Sequence, residues 1–400
     1  MNSGDFVDCP GCNAKKIAAG AKNHPLAGHG ARTAGPGLRS TLLSDAGWVR
    51  RSAATALMLA FVACGGNGSP AAPDGPGPGP TPPPAGTDTL KAAAAAQRRL
   101  VGTAVQSSLL GNPQYNTVVD REFNYLTAEY EMKWNVIEPA RGSTNFVPGD
   151  DIVGYAASHG MQVKGHTFIW HGATPSWVNG LSVPDFRAAF ENHIRTVAER
   201  YRGRVHAWDV VNEAVADDGL GLRDTVFRQK LGDSYIAEAF RLARAADPRA
   251  RLFYNDYGGE GTNAKANRIY DLLRDLLAAG VPIDGVGLQM HISALGRPSD
   301  ASIAANMRRL ADLGLTVHIS EMDVRIGSVP GTEQTRLEVQ KAAYRDVVRI
   351  CMMEPACEAI TFWGFTDAHS WIRGDSPLLF DAQYMPKPAY QGVLDALRGR

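Results

Sequence analysis

The sequence predicts an α/β protein built as a single (β/α)8 TIM barrel, and three observations lead there. Eight short β-rich runs recur between Leu100 and Phe365. Helical stretches separate them: FRAAFENHIRTVAERY and SYIAEAFRLARAA carry apolar residues at three- and four-residue steps. Strands that alternate with helices imply parallel strands joined by crossovers. Polar and ionisable residues then gather at the C-terminal ends of the runs, which is where a barrel keeps its catalytic site. From Leu90 to Arg400 the chain offers roughly forty residues to each of eight units, a barrel's measure. An open doubly wound sheet is the alternative; no glycine-rich dinucleotide fingerprint follows a strand.

Taken in order, the runs are LVGTAV from Leu100, NYLTAE from Asn124, QVKGHTFIW from Gln162 and HAWDVVNE from His206. RLFYND from Arg251, GVGLQMH from Gly285, TVHISEMDV from Thr316 and AITFWGF from Ala359 complete the set. Each is dense in β-branched or aromatic residues that fit a pleated, buried surface. Their endings carry Glu129, His166 to His171, Asn212 with Glu213, Asn255 with Asp256, Gln289 with His291, Glu321 with Asp323, and Trp363. The starts of the runs carry no such cluster.

The region before the barrel reads differently. Residues 1–48 lack a steady hydrophobic period and are rich in Gly, Ala and Asn, which predicts disorder or a mis-annotated extension. Residues 49–64 hold Arg50-Arg51, an apolar stretch from Ala53 to Ala63, and then Cys64, the parts of a secretory signal. With Cys64 directly after Ala63 it resembles a bacterial lipoprotein signal, which implies an acylated Cys64 at the mature N-terminus. A signal belongs at an N-terminus, so translation is expected to start near Val49. Export follows, to the cell surface or periplasm as a lipoprotein, or otherwise as a secreted protein. Residues 65–89 form a Pro/Gly-rich linker, SPAAPDGPGPGPTPPPAG at its heart, extended and semi-rigid. Residues 90–400 form the (β/α)8 catalytic domain. Cys9 and Cys12 suggest half of a zinc site, but no second Cys/His pair stands at ligand spacing, so no metal is expected.

Charge and composition narrow the partners. With 41 Lys+Arg against 41 Asp+Glu, no global positive field collects phosphates, so nucleic acid is not expected. No apolar run reaches the ~18–20 residues of a membrane span, which leaves a lipid anchor as the one membrane link. Five cysteines are too few for a disulfide-built miniature.

Glu213 ends the fourth run and Glu321 lies on the seventh, so barrel closure turns both toward one cleft. Glycoside hydrolysis needs this pair: a protonated acid at the leaving oxygen and an ionised carboxylate at the anomeric carbon. The bland reading of either is a surface carboxylate. Against it stand His291 and Asp323 on neighbouring strand ends, a set able to orient Glu321 and keep it ionised. Trp170, Trp177, Trp363 and Trp371 fall in the same strand ends and loops, and tryptophan offers a flat apolar face to sugar C–H groups.

At these residues the chain resembles the bacterial endo-β-1,4-xylanases of glycoside hydrolase family 10. The pieces are TAEYEMKWNVIEPARG, VKGHTFIWH with TPSWV, WDVVNE, FYNDYGGEGTNAKAN, GLQMHI, HISEMDV and TFWGFTDAHSW, in family order across residues 100–390. The resemblance implies a retaining xylanase acting on internal β-1,4-xylosidic bonds of xylan, without cofactor. It makes Glu213 the acid/base with Asn212 on the sugar 2-OH, and Glu321 the nucleophile, held by His291 and in turn by Asp323. Glu129, Lys133, His166, Trp170, Gln289, Trp363 and Trp371 would surround the sugar, with Asn255 lining the cleft. It also pairs Cys351 with Cys357 in a short disulfide; two reduced cysteines are the alternative. A monomer is expected. Tyr130 and Ala173 stand where the family commonly has Asn and Gln that reach substrate, and Gly258 stands where it has Asn. Two other readings share the sequence: activity mainly on cellulosic or aryl β-glycosides, and a non-catalytic surface glycan-binding lipoprotein.

Overall fold

Nine stretches of buried, largely β-branched and aromatic residues form strands in the computed structural model, which describes residues 88–400. The expectations for 1–48, for the signal at 49–64 with Cys64, for Cys9 and Cys12, and for nearly all of the 65–89 linker lie outside the described residues. The strands are β1 (Leu100–Val105), β2 (Tyr125–Ala128), β3 (Gln162–Trp170), β4 (Ala207–Asn212) and β5 (Arg251–Asp256). They continue with β6 (Gly285–Leu288), β7 (His291–Ser293), β8 (Thr316–Arg325) and β9 (Cys357–Phe362). All pair in parallel, in the order β6-β5-β4-β3-β2-β1-β9-β8, and a β6–β8 ladder closes the ring. The result is an eight-stranded (β/α)8 barrel, and β7 rides on the C-terminal half of β8 with His291 opposite Asp323.

The sixth predicted run, GVGLQMH, differs from expectation. It breaks after Leu288, because Met290 takes a left-handed φ of 64° and turns the chain before His291 resumes pairing. The buried Glu260 carboxylate holds this break by accepting the Met290 N–H at 3.2 Å. A period-of-two pattern does not reveal such a turn, since it records burial and not φ.

Helices cover the outside. The predicted pair forms at Val183–Arg200 and Tyr235–Ala246. Ser182 caps the first by accepting the Asp185 N–H at 3.3 Å, and its hydroxyl donates to the Asp185 carboxylate at 2.8 Å. Between helix and barrel, Trp208 stacks on Phe168 with centroids 4.2 Å apart, and a Cβ at Gly165 would strike the Trp208 ring. Asp209, next along β4, points inward by strand alternation. There the buried Lys164 ammonium lies 2.7 Å from Asp209 Oδ1, and His318 stacks on Phe253 at 4.2 Å. This charged and aromatic plug is the floor beneath the site. No helix among the described residues is long and apolar enough to cross a membrane. A disulfide joins Cys351, on the helix Glu333–Met353, to Cys357 at the start of β9.

Candidate active site

Glu213 follows β4 at the point where the chain leaves the sheet. Asn212 is still in register with Asn255, and the Glu213 N–H donates to the Asn255 carbonyl at 2.8 Å. Glu213 itself adopts φ 58°, a left-handed backbone rare for a non-glycine residue and costing about 1–3 kcal/mol. That turn presents its carboxylate to the cleft. Oε2 accepts the indole N–H of Trp170 at 2.8 Å, while Oε1 accepts from Asn212 and Gln289, each at 3.1 Å.

Glu321 and Asp323 are two residues apart on β8, so they share a face. Glu321 Oε1 accepts from Asn255 Nδ2 at 2.6 Å, and Oε2 lies 3.2 Å from His291 Nε2. The other imidazole nitrogen of His291 lies 2.7 Å from Asp323 Oδ2, which also accepts the Trp371 indole N–H at 2.9 Å. Asn255 Nδ2 donates to Asn212 Oδ1 as well, at 2.9 Å, so an amide bridge links the surroundings of the two glutamates. Ser320 orients that bridge by donating to Asn255 Oδ1 at 2.6 Å.

These environments push the two carboxyls apart. Burial raises the Glu213 pKa; bonds from Gln289 and Trp170 lower it only in part, and the Glu321 charge raises it further. Burial also acts to raise Glu321, but the imidazoles of His166 and His291 and the Asn255 bond outweigh it and bring it to about 2. Burial disfavours the charged form of His291; the Asp323 and Glu321 carboxylates prevail and hold it protonated, at about 10. One carboxyl shifted up facing one shifted down is the division of labour acid/base chemistry requires.

His166 enters from β3, its Nδ1 3.0 Å from Asp209 Oδ2 and 3.9 Å from Glu321 Oε1. The His166–Thr167 peptide is cis. Among the described residues, His166, Asp209 and Glu321 are the group with metal-ligand spacing, but Lys164 and Asn255 already engage Asp209 and Glu321. The Lys133 ammonium lies 4.7 Å from the Trp170 ring centroid, 4.9 Å from Tyr130 and 5.9 Å from Trp363. Glu129, just past β2, accepts from Gln106 Nε2 at 3.1 Å, and burial raises its pKa. Trp363 meets His166 edge-on at 5.1 Å, and Trp371 meets His291 at 5.1 Å.

The structure thus gathers Glu213, Glu321, His291, Asp323, Asn212, Asn255, Gln289, His166 and Trp170 into one connected set, with Lys133, Trp363 and Trp371 in ring contact with it. Trp177 is a correction. It is half-buried, packs edge-on against Trp134 at 6.1 Å and donates to the Glu138 carbonyl at 3.0 Å, so it leans on the core rather than on the two glutamates or their partners. Its place in the TPSWV loop suggested the groove because sequence does not show which way a loop side chain turns.

A model of the Glycosyl hydrolase family 10 domain matches residues 89–396. The chain belongs to that family. Endo-1,4-beta-xylanase B of Thermotoga neapolitana is 42% identical over 297 residues, spanning 72% of this chain and 85% of that protein. The endo-1,4-beta-xylanase of Agaricus bisporus is 39% identical over 312 residues, 76% of this chain and 92% of its own length. Xylanase 10B of Thermotoga petrophila RKU-1, solved in complex with xylobiose, superposes with a TM-score of 0.75 at 40% identity, covering 78% of this chain and 97% of that one.

Within this family 10 barrel, the three departures have distinct local settings. Gly258 has φ +68° and donates its N–H to Glu260 Oε1 at 3.0 Å. Asn and Gly both tolerate that left-handed conformation, so the Asn expected from the resemblance and this Gly suit the same turn. Ala173 is buried in the turn His171–Ala173, and Tyr130 turns its ring to Lys133. Sequence reasoning passed over Asp209, Lys164, Gln106, Ser320 and Arg223. Asp209 carried a signal: a lone charge inside the apolar WDVV run must point into the barrel and be paired there.

Proposed function

We propose that the protein is a retaining endo-β-1,4-xylanase that cleaves internal β-1,4-xylosidic bonds of xylan by double displacement. Glu213 acts as acid and then base, and Glu321 as nucleophile. The observation that carries this reading is the pair of buried glutamates joined through Asn212 and Asn255, in surroundings that shift the Glu213 pKa up and bring Glu321 to about 2. The family and the xylanases it resembles supply the substrate class.

In the first step a Glu321 oxygen attacks the anomeric carbon. The glycosidic C–O bond breaks, and its electron pair goes to the leaving oxygen, which takes the Glu213 proton. In the second step Glu213 accepts a proton from water, the water oxygen bonds to the anomeric carbon, and the bond to Glu321 breaks. His291, protonated between Asp323 and Glu321, keeps the nucleophile ionised and oriented. Asn212 is assigned to the sugar 2-OH, Glu129, Lys133, His166 and Gln289 to further hydroxyls, and Trp170, Trp363 and Trp371 to the ring faces. Proton NMR of the first products from a xylo-oligosaccharide tests this: the β-anomer must appear first. An α-anomer would indicate single displacement and remove Glu321 from the nucleophile role.

For the chain as a whole we place the enzyme outside the cytoplasm, anchored through an acylated Cys64 and working as a monomer. The Cys351–Cys357 disulfide supports an oxidising compartment. Radiolabelled palmitate entering the wild-type chain but not Cys64→Ala tests the anchor; equal labelling of both rejects it.

A further inference from the structure

Glu213 holds a left-handed backbone, φ 58°, which persists only where its surroundings over-determine it. Side chains supply much of that determination. Arg223 Nε donates to the Glu213 carbonyl at 3.2 Å, and Arg223 Nη2 donates to the Val215 carbonyl at 3.3 Å. Its backbone N–H closes on the Ala214 carbonyl at 2.7 Å. From the other side the Tyr254 hydroxyl accepts the N–H groups of Ala214 and Val215 at 3.1 and 3.2 Å. The three residues from Glu213 to Val215 are therefore gripped on their carbonyls and on their N–H groups at once.

The guanidinium is itself aimed. Asp217 Oδ1 accepts from Arg223 Nη2 at 2.7 Å and from the Tyr257 hydroxyl at 2.6 Å, with the Lys265 ammonium 3.2 Å away. Lys265 reaches on to Asp256 Oδ1 at 3.0 Å, and Asp256 Oδ2 accepts from the Tyr254 hydroxyl at 2.5 Å. This closes a ring from Arg223 through Asp217, Lys265, Asp256 and Tyr254 around the chain that follows Glu213.

We propose that Arg223 is a positioning residue for proton transfer by Glu213. It acts through the backbone, holding the turn that aims the carboxyl at the glycosidic oxygen. The proposal rests on the assignment of Glu213 as acid/base. An arginine suits the task because its planar fork serves two carbonyls and a carboxylate together, which a lysine's single ammonium does not.

Leaving-group dependence separates aim from mere support. A phenoxide departs with help from the Glu213 proton, whereas 2,4-dinitrophenolate departs without one. The experiment measures kcat/KM of the full chain, Arg223→Ala, Arg223→Lys and Glu213→Ala on phenyl and 2,4-dinitrophenyl β-xylobiosides. Both Arg223 variants are expected to lose about tenfold or more on the phenyl substrate and less than about twofold on the dinitrophenyl one. Azide, which attacks the glycosyl-enzyme without base help, is expected to restore their kcat on the dinitrophenyl substrate. Equal losses on both substrates, or a wild-type rate for Arg223→Lys on the phenyl substrate, would overturn the proposal. If Glu213→Ala shows the leaving-group signature and the Arg223 variants do not, the clamp alone fails. If Glu213→Ala lacks it, the acid assignment fails with it.

Discussion

Trp170 donates its indole N–H to Oε2 of Glu213 over 2.8 Å, tying the ring at the end of β3 to the carboxyl proposed to move the proton. The bond favours the ionised carboxylate and so lowers a pKa that burial raises. Trp170→Phe keeps most of the apolar face and removes the donor. Hydrogen bonds to charged groups are worth about 1.5–3 kcal/mol, so the alkaline limb of kcat/KM is expected to move up by about one to two pH units. An unmoved limb in the pH profile would show that Trp170 does not tune Glu213.

The floor of the barrel predicts a stability effect. Lys164 and Asp209 are each about 1% exposed and lie 2.7 Å apart, so removing Lys164 leaves a buried carboxylate with His166 Nδ1, at 3.0 Å, as its remaining basic neighbour. Lys164→Met is expected to cost about 3–5 kcal/mol in urea unfolding. Adding Asp209→Asn removes the under-compensated carboxylate charge and is expected to recover part of that loss. If the double variant is less stable than Lys164→Met, the ion pair is not the source of the effect.

His291 makes stability depend on pH in a direction its neighbours fix. Its folded value of about 10 stands above the ordinary 6.5, so its contribution is complete below pH 6.5 and lost as pH rises toward 10. The unfolding free-energy gap between wild type and His291→Asn is therefore expected to narrow steadily across that window. Denaturant titrations at pH 6, 8 and 9.5 measure it (roughly spanning the window). A gap that widens would contradict a protonated His291 between Asp323 and Glu321.

Tyr130 occupies the position where the family resemblance implies a substrate-binding Asn, and its ring lies 4.9 Å from the Lys133 ammonium. Tyr130→Asn is expected to lower KM for xylo-oligosaccharides by a factor matching about 0.5–1.5 kcal/mol, with kcat nearly unchanged. A higher KM would mean that the tyrosine already serves the sugar better than the amide does.

Much of this was legible in the sequence, for physical reasons that also mark where legibility ends. The strands announced themselves because each is buried on both faces, as TVHISEMDV and RLFYND are. Glu213, Glu321, His291 and Asp323 were readable because strand ends in a barrel converge. The Met290 turn was not, since its cause, the Glu260 carboxylate, lies thirty residues away in sequence. Trp177 misled because a loop tryptophan has the same composition signal whether it faces sugar or core. Lys164 with Asp209, and Arg223 with the Glu213 carbonyl, become partners only when the barrel closes and the loop after β4 folds back.

Covalent trapping tests the central claim most directly. The full chain is incubated with 2,4-dinitrophenyl 2-deoxy-2-fluoro-β-xylobioside, whose fluorine slows turnover of the glycosyl-enzyme, and the labelled peptide is sequenced by mass spectrometry. The account predicts stoichiometric inactivation with the sugar on Glu321, and none in Glu321→Ala. A label on another residue, or inactivation that survives Glu321→Ala, would contradict it.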